Sequence, residues 1–340
     1  MTRVAINGFG RIGRLALRAW LESGRTDIEV VAINDLMPAE QMAHLFAFDS
    51  SHGRFEGPVT VSDGCLNIDG KRVAICQQSE PEKLPWGAMD VELVLECTGR
   101  FTERAAAERH LVAGADRVLV SAPAKGADHT VVFGVNHDTI SADSTVVSNA
   151  SCTTNCVSPV AAALHNAFGI ERGSVTTVHA YTGDQSLVDA PHKDMRRARA
   201  AGVAIVPTAT GAARAVGDVL PALKGKLDGQ ALRVPTLNVS LVELTVSVEK
   251  DATVDAINQV LADAADGQVM AVSDQPLVSL DFNHRSESSI VDVDLTRVVD
   301  KRLVSVSAWY DNEWGFANRL LDTAVHWSAV AAKAEAEAVA

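Results

Sequence analysis

The chain reads as an α/β protein in two parts. The first is an N-terminal domain, 1–150, with a mostly parallel sheet; the second is an α+β domain, 151–316, with a mostly antiparallel sheet. Three observations predict this. Up to about residue 150, short apolar strand-like runs alternate with helical spacing, the pattern of a parallel sheet covered by helices. Beyond it, Val242, Leu244, Val246 and Val248 alternate with polar residues, as do Val304, Val306 and Ala308. Strict alternation implies one covered and one wetter face, as in an antiparallel sheet. The 340 residues also exceed what one core usually holds.

The elements follow in order. "TRVAIN" (2–7) reads as a buried strand, "GFGRIG" as a turn, and 11–23 as a helix. "IEVVAIND" (28–35) is a second strand. "VELVLECTG" (91–99) and "RVLVSAP" (117–123) are further strands with a helix-like segment, 102–113, between them. "TVVFGVN" (130–136) and "TVVSNA" (145–150) are two more apolar runs. Residues 316–337 read as a long final helix. No repeat or flexible linker separates the parts.

Hydrophobic residues make up 47% and charged residues 21%, a globular mixture with ample core material. No apolar run approaches the ~18 residues a membrane helix needs, and the first residues lack a signal-peptide pattern. The formal net charge of −13 disfavours nucleic acid and anionic membranes as partners. Five cysteines without disulfide-like spacing point to a cytoplasmic protein.

Gly8, Gly10 and Gly13 have G-x-G-x-x-G spacing, after a strand and before a helix, and Asp35 ends the next strand. That context turns a weak pattern into a dinucleotide-binding, Rossmann-type reading. The glycines permit the turn, the approach of a pyrophosphate and helix–strand packing. The amides of Arg11 and Ile12 face the phosphates. Asp35 accepts from the adenosine ribose and repels a 2′-phosphate, which favours NAD over NADP.

"NASCTTNC" (149–156) places Cys152 and Cys156 four apart. Two thiols are half of a zinc site, and no nearby pair completes it. Cys156 reads as a buried structural cysteine. Cys152 follows a strand and opens a helical stretch, where a helix dipole and unpaired amides acidify a thiol. Pro159 leaves two readings: it starts the helix, with Cys152 in a loop, or it lies within a helix begun near Ser151. His179, at the end of a strand-like run, is the candidate base for a Cys152 thiolate. Lys193, Arg196, Arg197 and Arg199 form a basic loop in an acidic chain. Arg233 is flanked by strand-like residues, and Thr210 and Gly211 offer a hydroxyl and an amide to an anion.

"INGFGRIGR", "FDSSHGRF", "SNASCTTNC", "VHAYTGDQ", "RRARAA", "RVPT" and "WYDNEWGFANR" occur in one order. Together they resemble the phosphorylating glyceraldehyde-3-phosphate dehydrogenases, from residue 2 to about residue 325. The resemblance implies oxidation of D-glyceraldehyde 3-phosphate with NAD and inorganic phosphate to 1,3-bisphosphoglycerate. Cys152 would be the nucleophile that carries a thiohemiacetal and then a thioester, and His179 the base. Thr182, Arg197 and Arg233 would hold the substrate's phosphate. Ser151, Thr153, Thr210 and Gly211 would hold the attacking phosphate. Arg11, Ile12, Asp35, Ser121 and Asn318 would hold the cofactor, so the last helix, 317–340, should return to the first domain. The family is typically a homotetramer. Two departures stand out. Ser79 stands where many members carry an arginine near the adenine. Ala190 stands where NAD-type members often have Leu, leaving room for some use of NADP. Two alternatives are an erythrose-4-phosphate dehydrogenase, against which Thr182 argues, and a non-catalytic nucleotide-binding redox sensor.

Overall fold

In the computed structural model, which describes residues 1–339, the chain forms two compact units. Unit 1 comprises Met1–Val131, His137–Ala150 and the residues from Ala317 onward; unit 2 comprises Val132–Asn136 and Ser151–Phe316.

Unit 1 contains the strands β1 (Thr2–Asn7), β2 (Ile28–Asn34), β3 (Phe48–Asp49), β4 (Gly53–Arg54), β5 (Val59–Ser62), β6 (Cys65–Ile68), β7 (Lys71–Cys76), β8 (Leu93–Glu96), β9 (Arg117–Val120), β10 (His129–Thr130) and β11 (Val146–Ser148). Nine of them form one sheet in the order β10-β11-β9-β8-β1-β2-β7-β6-β5. From β10 to β7 every pairing is parallel, while β7, β6 and β5 add an antiparallel edge. Central strands covered on both faces need unbroken apolar runs, and Val4, Ala5 and Ile6 are each 0% exposed. The α-helices of this unit before residue 150 are α1 (Arg11–Ser23), α2 (Ala39–Ala47), α3 (Arg104–Ala107) and α4 (Arg109–Val112). β1 pairs with β2 on one side and β8 on the other, so the strand order reverses here, the place where doubly wound sheets bind ligands.

Unit 2 contains α5 (Cys152–Phe168), β12 (Ile170–Ala180), β13 (Val206–Ala209), α6 (Ala212–Val219), β14 (Leu227–Val234), β15 (Ser240–Val248), α7 (Val254–Ala264), β16 (Met270–Ser273), β17 (Ser289–Val299) and β18 (Leu303–Tyr310). Its sheet runs β13-β14-β12-β15-β18-β17-β16. The alternating residues read from the sequence form its covered face. Val242, Leu244, Val246, Val248, Val304, Val306 and Ala308 pack with Val157, Val160, Ala161 and Leu164 of α5 in one cluster. β12 runs antiparallel to β15 but parallel to β14, which sets His179 opposite Arg233. The final helix, α8 (Trp314–Val339), belongs to unit 1 from Ala317 on. Among the described residues no helix is long and apolar enough to cross a membrane.

Two expectations for local structure need correction. Of 130–136 only Thr130 is strand. The amides of Val135 and Asn136 donate to Val132 O and Gly134 takes φ +83, so the apolar run folds into a turn. Residues 102–113 form two one-turn helices that meet at Glu108 rather than one helix. Strands β5 to β7, too polar on one face to stand out in the sequence, extend the sheet's edge.

Candidate active site

Unit 2 holds the sulfur chemistry. Ser151 caps α5 with extended backbone (φ −114, ψ 162), and its Oγ accepts from the Thr154 amide at 3.1 Å. A side-chain cap of this kind is what starts a helix. Pro159 therefore lies inside the helix, and Cys152 is the first helical residue.

Cys152 Sγ is 3.5 Å from His179 Nε2. His179 closes β12, 3% exposed. Neighbouring bonds hold that strand end: Ala180 N donates to Ser240 Oγ at 3.1 Å, and Ser240 Oγ donates to Asn312 Oδ1 at 2.8 Å. His179 Nδ1 lies 2.7 Å from Ala180 O and 2.5 Å from Arg233 Nη1, which also donates to Ala180 O at 3.0 Å. Ala180 O can only accept and Arg233 Nη1 can only donate, so the two contacts at Nδ1 favour opposite tautomers of the ring.

The electrostatics differ from the expected acidic thiol. Burial pushes the Cys152 thiol above its ordinary value, despite the opposing influence of Arg233 and of hydrogen bonds from Thr153. Burial, then the Arg233 charge, hold His179 down at about 3. The resting pair is therefore neutral thiol and neutral imidazole. A helix start lowers a thiol's pKa only if enough of the anion's solvation survives, and here desolvation wins. Burial raises Cys156 further; its Sγ is fully covered and sits 3.7 Å from Ser289 Oγ.

The anion-binding candidates fall into two groups. Ser151 Oγ is 2.7 Å from Thr154 Oγ1, which donates to Ala212 O at 3.4 Å, and Thr210 Oγ1 accepts from Ala212 N at 3.1 Å. This chain brings Ser151 close to Thr210 and the exposed Gly211. Thr153 is buried, its hydroxyl 2.9 Å from Tyr310 OH. In the second group, Arg233 Nε is buried without a hydrogen-bond partner, a donor left unsatisfied. Arg197 Nε donates to Thr208 Oγ1 at 2.9 Å and its Nη1 pairs with Asp184, so carboxylate already occupies this guanidinium. Thr182 is half-buried at the turn closed by Gln185 N→Thr182 O, 2.9 Å.

Tyr310 is a site residue the sequence reading missed. Its hydroxyl lies 2.9 Å from both Thr153 and Thr177, and its ring meets His179 edge-on at 5.9 Å. The signal was present: Tyr310 continues the Val304–Val306–Ala308 face by one more alternation.

Unit 1 holds the nucleotide chemistry. A cavity of about 250 Å³ opens at the reversal of strand order, lined among others by Gly8, Gly10, Asp35, Ser79, Thr98 and Phe101. Each glycine has a separate reason. Gly8 takes φ +93, and a Cβ there would lie 2.6 Å from Thr98 N. At Gly13 a Cβ would lie 2.0 Å from Gly8 O, so only glycine lets α1 seat on β1. A Cβ at Gly10 meets nothing within 4 Å: it would project into the space a ligand needs. Asp35 accepts from Phe9 N at 2.6 Å and Met37 N at 3.0 Å, which fixes its carboxylate and leaves further lone pairs for ribose hydroxyls. These residues fit a dinucleotide.

The other cofactor candidates are placed less directly. Arg11 and Ile12 form the first turn of α1, and the Arg11 side chain turns away to pair with Asp49. Burial alone would raise the Asp49 pKa, but hydrogen bonds from Arg11, His52 and Ser51 hold it at about 2. Ser121 hydrogen-bonds Cys97, whose thiol burial pushes up to about 12. Asn318 is half-buried on α8, within unit 1.

Beneath the cavity lies a buried network the sequence reading also missed. Trp86 Nε1 donates to His110 Nδ1 at 3.0 Å, which puts the ring proton on Nε2, 3.1 Å from Glu96 Oε2. Asn7 Nδ2 donates to the same oxygen at 2.5 Å. Asn34 Nδ2 donates to Asn7 Oδ1 at 2.7 Å, and Gln78 N donates to Asn34 Oδ1 at 2.8 Å. The network locks the carboxyl ends of β1, β2 and β8 together. Its trace in the sequence is that each of these apolar strands ends on a polar residue.

Replacing Gly13 by alanine is expected to cost about 1–3 kcal/mol through overpacking and to weaken cofactor binding further by displacing the loop. Thermal unfolding with and without NAD separates the two effects; an unchanged Tm would contradict the contact at Gly8 O.

Comparison with known proteins agrees across almost the whole chain. Residues 2–104 match a family model described as the NAD binding domain of glyceraldehyde 3-phosphate dehydrogenase, and residues 151–312 match the C-terminal domain of that enzyme. Relatives named glyceraldehyde-3-phosphate dehydrogenase include one from Xanthobacter flavus, 56% identical over 95% of this chain and 97% of its own. One from Pseudomonas aeruginosa is 55% identical over 95% of this chain and 97% of its own. One from Geobacillus stearothermophilus is 52% identical over the same shares.

Proposed function

The chain belongs to the glyceraldehyde-3-phosphate dehydrogenase family, and on that premise we propose that it oxidises D-glyceraldehyde 3-phosphate, with NAD and inorganic phosphate, to 1,3-bisphosphoglycerate. The observation that carries this reading is the 3.5 Å approach of Cys152 Sγ to His179 Nε2 beside Arg233. It is an NAD-dependent oxidoreductase.

The substrate's phosphate pairs with Arg233, supported by Thr182 and, once released by Asp184, Arg197. That pairing also prepares the base. With Arg233 drawn to the phosphate, the tautomer whose Nδ1–H donates to Ala180 O is favoured, and Nε2 keeps a lone pair toward the sulfur. Neutralising the arginine also removes one of the two influences that depress His179. Nε2 then takes the thiol proton, the Cys152 thiolate adds to the aldehyde carbon, and Nε2 returns the proton to the new alkoxide to give a thiohemiacetal. When bound, NAD supplies the acceptor for the hydride that leaves this carbon. His179 holds the hydroxyl proton as the carbonyl re-forms, so Cys152 becomes a thioester. Ser151, Thr153, Thr210 and Gly211 hold the incoming phosphate, whose oxygen attacks the acyl carbon and expels the sulfur. A thiolate leaves more readily than an alkoxide, which is why sulfur suits both steps.

Asp35 supports NAD as the preferred cofactor, while Ser79 in the cavity and the exposed Ala190 leave room for some NADP use. Five free cysteines support a cytoplasmic location. Leu187, Val188, Met195, Val203 and Ile205 are all at least 66% exposed within one loop. So much apolar surface supports burial against other copies, as in a homotetramer; sedimentation at the mass of one chain would refute it.

The testing experiment is a substrate panel. NAD reduction with glyceraldehyde 3-phosphate is expected only when phosphate or arsenate is present, and faster than with erythrose 4-phosphate. Turnover indifferent to both anions would point to a hydrolytic aldehyde oxidation instead. Bound NAD without turnover would favour a redox sensor.

A further inference from the structure

We propose that His137, Asp138 and His326 form a binding site for a divalent transition-metal ion of the zinc class, built from residues that take no part in the dehydrogenase chemistry. All three belong to unit 1. His137 and Asp138 open a single 3₁₀ turn, His137–Thr139, and His326 lies on α8. Their donor atoms all lie within 4.8 Å of one another. Asp138 Oδ1 stands 3.7 Å from His137 Nε2 and 4.0 Å from His326 Nε2, so the carboxylate sits between two imidazole nitrogens at a distance too long for a hydrogen bond to either.

That spacing suits an ion. With metal–nitrogen distances near 2.0–2.1 Å and metal–oxygen distances near 2.0–2.2 Å, a tetrahedral site needs its donors roughly 3.4 Å apart. The carboxylate must approach the two imidazoles by a few tenths of an ångström, and the imidazole nitrogens, within 4.8 Å of each other, must close by up to about 1.4 Å. The two imidazoles are held by their surroundings, with side chains 21% and 24% exposed, while the Asp138 side chain, 86% exposed, is free to turn. The rings meet at 4.7 Å and 67°, edge to face rather than stacked. Two imidazoles and one carboxylate leave a fourth position for water. This is a zinc donor set, and its nitrogens disfavour calcium and magnesium, which take oxygen. An ion there would tie α8, the helix that carries Asn318, to the 137–139 turn, and would stabilise the folded chain by mass action.

The test uses the full chain with Cys152 alkylated by iodoacetamide, so that the thiol and His179 do not compete. Zinc is titrated against a chelating dye, and unfolding is followed as zinc rises. The expected result is one zinc ion per chain and a Tm that rises with zinc but not with magnesium. Asp138→Asn, a change at an exposed side chain that leaves the fold intact, should weaken zinc binding at least about tenfold, the lower end of losses seen even for indirect partners of a metal. His326→Ala should remove it, with dehydrogenase turnover before alkylation retained in both variants. Zinc binding of equal affinity in the parent and both variants, or none in the parent, would overturn the proposal.

Discussion

Cys152→Ser is expected to lower kcat by about a thousandfold or more while NAD still binds. The hydroxyl cannot supply the nucleophile at neutral pH, and an ester would hold the acyl group against phosphate. Cys156→Ser is the internal control. Its sulfur is fully buried beside Ser289 Oγ and Ala308 O, partners to which a hydroxyl can also donate, so turnover should stay within a few-fold of the parent. Equal losses in the two variants would remove Cys152 from its assigned role. The pH dependence follows from the desolvation of the half-buried Cys152 thiol. Its pKa lies above the ordinary value in the free protein, so thiolate forms only as pH rises past the usual thiol range. Iodoacetamide should alkylate Cys152 faster with rising pH and reach half its maximal rate above the midpoint of a free thiol. A midpoint near neutrality would show that the helix start outweighs desolvation after all.

His179→Asn should lower kcat by about 10²–10⁴-fold, the usual contribution of a positioned base, with a smaller change in KM for NAD. A loss confined to KM would mean that His179 only shapes the pocket. The same variant carries a stability signature. The parent imidazole has its pKa pushed from 6.5 to about 3 by burial and Arg233. Between those values the unfolded chain takes up a proton that the folded chain refuses, so this residue's contribution to stability falls as pH drops from 6.5 toward 3. His179→Asn should therefore lose less stability over that window than the parent does. Identical acid profiles would show that His179 is solvated and the depressed value wrong.

Much of the site was legible because local chemistry leaves local marks. The glycine spacing fixed a turn that tolerates no Cβ at 8 or 13, and the structure supplies the reason in a contact of 2.0 Å at Gly13. Alternation along 242–248 and 304–308 named one face of a sheet, and those side chains are the covered ones. The apolar run at 130–136 misled for a related reason. Hydropathy records that Val131 and Val132 are buried, but not that Gly134 and Asn136 turn the chain there.

What the sequence determined by itself was the identity of the candidate groups and the kind of element each sits on: a thiol at a helix start, an imidazole at a strand end, a carboxylate beyond a glycine loop. What only the tertiary structure decided was the electrical state of those groups and their long-range partners. Arg233 reaches His179 because β12 and β14 pair in parallel across more than fifty residues, and Tyr310 joins Thr153 to Thr177 through a strand far along the chain. Desolvation depends on every atom packed around a group, so the neutral Cys152–His179 pair is a property of the assembled core and of no segment within it.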